Sequence, residues 1–325
     1  MALPVLNTSR PHPGANRPGT GRSVSAKEMD MPNIAANGIR IEYDTIGDSA
    51  APALLLVAGN GAQLLFWDAE LCAMLARAGF FVIRFDNRDA GLSTKFDAAG
   101  IPDMMELIRA AMEGRPVDAP YTLADMADDA IGLLDALDVQ KAHVCGASMG
   151  GMIAQVIACR HPDRVLSLTS IMSNTGNFAA AQGRPEAIAA VVAPAPEERE
   201  AYVAHTLNVW RQIWSPGFPF EEERARRFLE QSYDRSHYPQ GMARQNAALI
   251  ASGDRRVQLA AVMAPALVIH GAADPLIPVE AGRETAESIL GAEMLVVEGM
   301  GHDLPKGVWG KVTEVIAALA RRALA

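Results

Sequence analysis

Three residue types, met in one chain order, suggest nucleophilic catalysis. Gly146-Ala147-Ser148-Met149-Gly150 sets a serine between two glycines, after an apolar run ending at Cys145 and before a helical run through Met152, Ile153, Val156 and Ile157. Between a strand and a helix, G-x-S-x-G makes a strained turn that pushes its serine outward, and bulk at the glycines would strike the adjoining strand and helix. A serine hydroxyl is a weak nucleophile at neutral pH. It needs a base to take its proton and an acid to fix the tautomer of that base. Asp274, just past the apolar run Leu267-Val268-Ile269, and His302, in Gly299-Met300-Gly301-His302, follow in the order nucleophile, acid, histidine that such a turn requires.

Each partner has a plainer reading. An Asp before Pro275 could simply cap the next turn, but its place at the end of a strand favours the acid. Asp303 adjoins the histidine in sequence and is expected to point elsewhere. Of the other histidines, His12 lies near the N-terminus, His143 and His270 fall in or at the end of strands, and His161 ends a helix. His205 and His237 are expected to be partly exposed. A tetrahedral intermediate also needs hydrogen-bond donors for its oxyanion, each worth about 10²–10³ in rate. The backbone N–H of Met149, at the start of a helix, is one candidate. The N–H of Asn60, in Ala58-Gly59-Asn60-Gly61, is the second, because flanking glycines let that loop turn toward the serine.

These residues need a sheet to hold them. Short apolar runs of the kind buried in a parallel sheet lie at 53–57, 80–85, 142–145, 165–172, 266–269 and 294–297. Runs with three- and four-residue apolar spacing at 67–78, 123–137, 149–161, 278–290 and 308–324 separate most of them. The pattern is repeated strand-helix-strand crossover, an open doubly wound α/β sheet. Asn37-Gly38 between two short alternating runs adds an antiparallel hairpin at its start. The rhythm stops between Ser173 and Ile250, where only helical runs appear, so 33–172 and 251–325 form the core and 173–250 an inserted helical lid. Half of the chain's aromatic residues fall in this insertion. Most are expected to pack it onto the sheet, while Trp210, Trp214 and Phe218, with Met300 from the histidine loop, are candidates for an apolar substrate wall. Residues 1–32, rich in Pro, Gly, Ser, Asn and Arg, are expected to be a disordered tail, with Met29 or Met31 as alternative starts.

Composition removes whole classes of function. The 325 residues carry 29 basic and 38 acidic side chains, a formal charge of −9, and give no electrostatic footprint for nucleic acid. Mean hydropathy is +0.07, and no apolar stretch approaches the ~20 residues of a membrane span. Cys72, Cys145 and Cys159 lack the pairing of a disulfide framework and the spacing of a zinc site, so reduced thiols in a cytoplasmic protein are expected. No metal or cofactor signature appears. A homo-oligomer is left open.

At this point a resemblance enters. The order of Ser148, Asp274 and His302, with the loop Asp86-Asn87-Arg88-Asp89-Ala90-Gly91-Leu92-Ser93, resembles the α/β-hydrolase superfamily, whose D-x-R-G-x-G-x-S loop carries Gly where this chain has Asp89. That loop is read as structural. Leu54 to Asn60, the Arg-Asp-Ala-Gly-Leu-Ser-Thr stretch and Gly299 to His302 resemble the aclacinomycin methylesterase group of carboxylesterases, which hydrolyse a methyl ester on a large aromatic polyketide. The superfamily's usual His-Gly before the oxyanion residue is Ala58-Gly59 here. The resemblance implies an α/β-hydrolase fold and a cofactor-independent carboxylesterase for a small hydrophobic ester. Lactonase, thioesterase, carbon–carbon hydrolase and aminopeptidase chemistries use the same three residues, and a ligand-binding receptor with a hydrolase fold is the alternative from another class.

Overall fold

The computed structural model describes residues 32–324. The tail expected at 1–32 lies, but for Pro32, outside the described residues. Eight strands form one sheet: β1 (Asn33–Ala36), β2 (Ile39–Ile46), β3 (Ala53–Val57), β4 (Phe81–Phe85), β5 (Ala142–Ala147), β6 (Val165–Ile171), β7 (Ala266–Gly271) and β8 (Glu293–Val297), in the spatial order β1-β2-β4-β3-β5-β6-β7-β8. β1 and β2 pair antiparallel, as do β2 and β4, and every later pairing is parallel. The β1–β2 turn consists of Asn37 and Gly38, both at positive φ (47° and 77°). Those angles are what a tight two-residue hairpin demands and what Asn and Gly tolerate.

The helices are α1 (Ala69–Arg77), α2 (Met104–Met112), α3 (Leu123–Ala136), α4 (Met149–Arg160), α5 (Pro185–Val192), α6 (Arg199–Ile213), α7 (Glu222–Arg235), α8 (Pro239–Ser252), α9 (Arg256–Leu259), α10 (Val279–Ser288) and α11 (Trp309–Ala323). Alternation along the strands sorts their side chains between two cores. Ala53, Leu55 and Val57 of β3 share one core with α3, α4 and α10, while Leu54 and Leu56 share the other with α1 and α11. Covered on both faces, these strands read as unbroken apolar runs. The sequence pattern does not reveal α2. Its Met105, Ile108 and Met112 are exposed and only Leu107 and Ala110 are buried, so apolar residues surround it and blur the period.

Between β6 and β7 the described chain forms helices and no strand. Within this insertion α6 and α7 close a small core of Val203, Leu207, Ala225 and Leu229. Two buried ion pairs fasten α7 and α8 to the loop after β4. Arg235 reaches Asp86 at 2.7 Å, and Arg244 lays its guanidinium on Asp89 at 2.8 and 2.9 Å. Asp89 has φ 63°, which explains the glycine usual at this position. Here the left-handed backbone is tolerated because an aspartate is among the few side chains that accept it. Its carboxylate also takes hydrogen bonds from the Tyr121 hydroxyl and the Phe96 N–H.

Candidate active site

Ser148 is the single residue between β5 and α4, and its backbone lies at φ 56°, ψ −123°. Such a conformation is rare for a residue with a Cβ and costs of order 1–3 kcal/mol. The surroundings hold it there: its N–H donates to the Ile171 carbonyl at 2.9 Å, and its carbonyl accepts from Gly151 N–H and the Ser173 hydroxyl, both at 2.9 Å. A Cβ on Gly146 would collide with the Gly150 carbonyl, and one on Gly150 with the Val57 carbonyl. The motif glycines therefore let α4 start directly against β3 and β5.

Asp274 follows β7 and His302 follows β8, both at the same end of the parallel sheet as Ser148. The structure brings all three together. His302 Nε2 lies 3.1 Å from Ser148 Oγ, and His302 Nδ1 lies 2.8 Å from Asp274 Oδ2. The Asp274 carboxylate is shielded from solvent and the imidazole is 8% exposed. A second histidine, His270, sits 3.6 Å from the same carboxylate oxygen, with its Nε2 2.9 Å from the Ile277 carbonyl. Burial lowers its pKa, which keeps it neutral, and an N–H to Ile277 braces the turn that carries the acid. Asp303 turns away from His302 and accepts a hydrogen bond from the Ser215 hydroxyl at 2.6 Å.

The loop after β3 runs against the serine, because a Cβ on Gly59 would stand 3.3 Å from Ser148 Cβ. The backbone N–H groups of Asn60 and Met149 find no acceptor among the described residues. Met149 follows Ser148 directly in the chain, and Asn60 follows Gly59, which packs on that serine. Two further residues that the sequence did not single out hold this loop from α8. Gln245 accepts from Gly61 N–H at 2.7 Å and donates to the Arg88 carbonyl at 2.8 Å, and Asn246 accepts from the Asn60 side-chain amide. Their only signal was two amides next to Ala247 and Ala248 on a face that must be buried.

Of the four residues expected to form an apolar wall, Met300 is buried, while Trp210, Trp214 and Phe218 are partly exposed. Met300 is fully buried in the core with Ala58, Ala147 and Met172, so it fills space beneath the histidine loop and offers no surface to a ligand. Trp210 packs on Phe228 at 5.4 Å as part of the insertion's own core. Phe218 packs against the sheet-side core, its ring touching the place of a Gly307 side chain. Trp214 stands edge-on to Phe220 at 4.8 Å, with its indole N–H buried and unpartnered among the described residues. A cleft of about 310 Å³ opens behind the acid loop, lined by Arg184, Asp274, Pro275 and Glu280; neither Ser148 nor His302 lines it. Among the described residues no group of three or more His, Cys, Asp or Glu side chains is placed to hold a metal ion, and no helix is long and apolar enough to cross a membrane.

Known proteins are similar to this chain in sequence or in fold. Rhodomycin D methylesterase DauP of Streptomyces sp. (strain C5) is 29% identical over 322 residues, covering 89% of this chain and 98% of its own. Rhodomycin D methylesterase DnrP of Streptomyces peucetius is 30% identical over 313 residues, with the same coverage of both chains. The crystal structure of the enol-lactonase from Burkholderia xenovorans LB400 is similar at a TM-score of 0.68 and 25% identity, covering 89% of this chain and all of that one. The two Streptomyces relatives bear out the methylesterase resemblance carried by the loops after β3, β4 and β8. The α/β hydrolase fold family matches residues 52–305, most of the described sheet and all of the insertion, and the chain belongs to that family.

Proposed function

We propose that the chain is a carboxylesterase that cleaves a hydrophobic alkyl or aryl ester through an acyl-Ser148 intermediate. The observation that carries this reading is the unbroken relay from Ser148 Oγ through His302 to Asp274, at 3.1 and 2.8 Å. With Nδ1–H donated to Asp274, the His302 Nε2 lone pair faces the hydroxyl and takes its proton as Oγ attacks the ester carbonyl. The N–H groups of Met149 and Asn60 donate to the oxyanion. His302 then passes the proton to the departing alcohol, activates a water by the same nitrogen, and releases the acid as Ser148 recovers its proton. The names of the Streptomyces relatives make a methyl ester the first substrate class to try, the resemblance to the aclacinomycin group makes it an aromatic one, and the insertion at 173–250 is read as the cap over it. Three free cysteines favour a reducing, cytoplasmic setting.

Initial rates on p-nitrophenyl acetate, butyrate and octanoate, and on a bulky aromatic methyl ester, test the reading. Turnover is expected on at least one ester and is expected to fall at least about 10³-fold in Ser148→Ala. Hydrolysis within tenfold of wild type in that variant would overturn it. The likeness to an enol-lactonase favours one second reading, since a lactone is an internal ester opened by the same steps. Turnover of lactones with none of the open-chain esters would select it.

A further inference from the structure

The loop carrying His302 is soft by composition, with glycine at 299 and 301, yet its imidazole must meet Ser148 at hydrogen-bond distance. Four hydrogen bonds tie this loop to residues 213–217, the last residue of α6 and the start of its link to α7. His302 N–H donates to the Ile213 carbonyl at 2.8 Å, and Gly217 N–H to the Gly299 carbonyl at 2.9 Å. Gly301 N–H donates to Ser215 Oγ at 2.8 Å, and the Ser215 hydroxyl donates to Asp303 Oδ1 at 2.6 Å. The two backbones touch. A Cβ on Gly301 would stand 2.6 Å from the carbonyl oxygens of both Ile213 and Trp214, and one on Gly217 2.8 Å from Gly299 Cα. Ser215 itself has no solvent exposure.

Ser215 thus engages the residues on both sides of His302 with one oxygen. A hydroxyl can accept and donate at once, so it holds the Met300–Gly301 peptide and the Asp303 side chain together, while the peptide entering His302 is held by the Ile213 carbonyl. Resting on the reading of His302 as the base, we infer that Ser215 is a positioning residue: through its hydroxyl the insertion sets the His302 imidazole against Ser148. Misplacing a catalytic group by about 1 Å costs on the order of 10²-fold in rate. Asp303 serves in this as the acceptor that orients the hydroxyl, and an oxygen suffices for that whether or not it is charged.

The test uses the full chain and two readouts: the rate constant for labelling of Ser148 by a fluorophosphonate, and kcat and KM on p-nitrophenyl butyrate, with the melting temperature as a check of folding. Ser215→Ala is expected to lower the labelling rate constant and kcat by about 10- to 100-fold while KM stays within twofold. Asp303→Asn keeps an acceptor oxygen and is expected to stay within fivefold of wild type at pH 8. Labelling and kcat within twofold of wild type in Ser215→Ala overturn the inference. So does an Asp303→Asn variant as slow as Ser215→Ala, because the effect would then belong to the carboxylate charge. Should Ser215→Ala fail to fold, Ser215→Thr and Ser215→Val, alike in shape, replace it: Thr keeps the labelling rate and Val loses it, and equal rates overturn the inference. Because the label needs an activated Ser148 but no ester, a wild type that labels and cleaves no ester refutes the esterase and leaves this test intact.

Discussion

Asp274 gives His302 only one of its two carboxylate oxygens. Oδ2 meets the ring Nδ1 at 2.8 Å, while Oδ1 accepts the N–H groups of Leu276 and Ile277, both at 2.9 Å. The residue that caps the turn after β7 is therefore the residue that faces His302, and the turn itself orients its carboxylate. Capping the turn and holding the histidine, which compete as readings of an isolated Asp-Pro, are both met because a carboxylate has two oxygens.

This division predicts how Asp274→Asn behaves. The amide oxygen can still accept from Leu276 and Ile277, which leaves the turn intact and the amino group facing Nδ1 of His302. That donor favours the tautomer with its proton on Nε2, which can no longer take one from Ser148. A fall in kcat of about 10⁴-fold is expected, with a melting temperature within a few degrees of wild type. Loss of less than tenfold in steady-state assays would separate Asp274 from the chemistry.

A second prediction concerns the insertion's attachment. Arg244 is 1% exposed and its partner Asp89 is likewise buried, and the guanidinium also donates to the Gly100 carbonyl at 2.8 Å. Removing one member of such a pair strands the other charge and costs about 3–5 kcal/mol. Arg244→Met should lose about that much in urea unfolding. Adding Asp89→Asn removes the stranded charge; the amide oxygen can accept from Phe96 N–H while the amino group donates to the Tyr121 oxygen, so the double variant should recover about 1–2 kcal/mol. A single-variant cost below about 1 kcal/mol would mean that the pair is solvated.

What could be read from the sequence divides along a physical line. β3 falls on the residues expected from its apolar run, and Asn37-Gly38 forms the expected turn, because burial on both faces and positive φ leave local marks in residue type. Ser148, Asp274 and His302 were legible because glycines and strand ends locate them without knowledge of packing. Arg244, Gln245 and Ser215 were not. Their partners Asp89, Arg88 and Asp303 lie 155, 157 and 88 residues away, and polar residues in an insertion look like a solvated surface until the tertiary partner is present. Met300 misled for the converse reason, since a methionine beside a catalytic histidine can as readily fill a core as line a pocket.

The last prediction links Asp303 to pH. Its carboxyl is buried, Oδ2 has no hydrogen-bond partner among the described residues, and burial pushes its pKa from 3.8 up to about 6. The folded chain thus favours the protonated form. That contribution to stability is fully present below pH 3.8 and is lost as pH rises through about 6, above which the ionised carboxylate sits buried at a cost of at most about 3 kcal/mol. Asp303→Asn removes the charge while keeping the oxygen that Ser215 needs. Its melting temperature should therefore exceed that of wild type by about 2–4 °C at pH 8, with the difference shrinking toward zero near pH 4. Thermal unfolding of both proteins at pH 4, 6 and 8 checks this, and a difference that does not change with pH would mean that Asp303 titrates as it does in the unfolded chain.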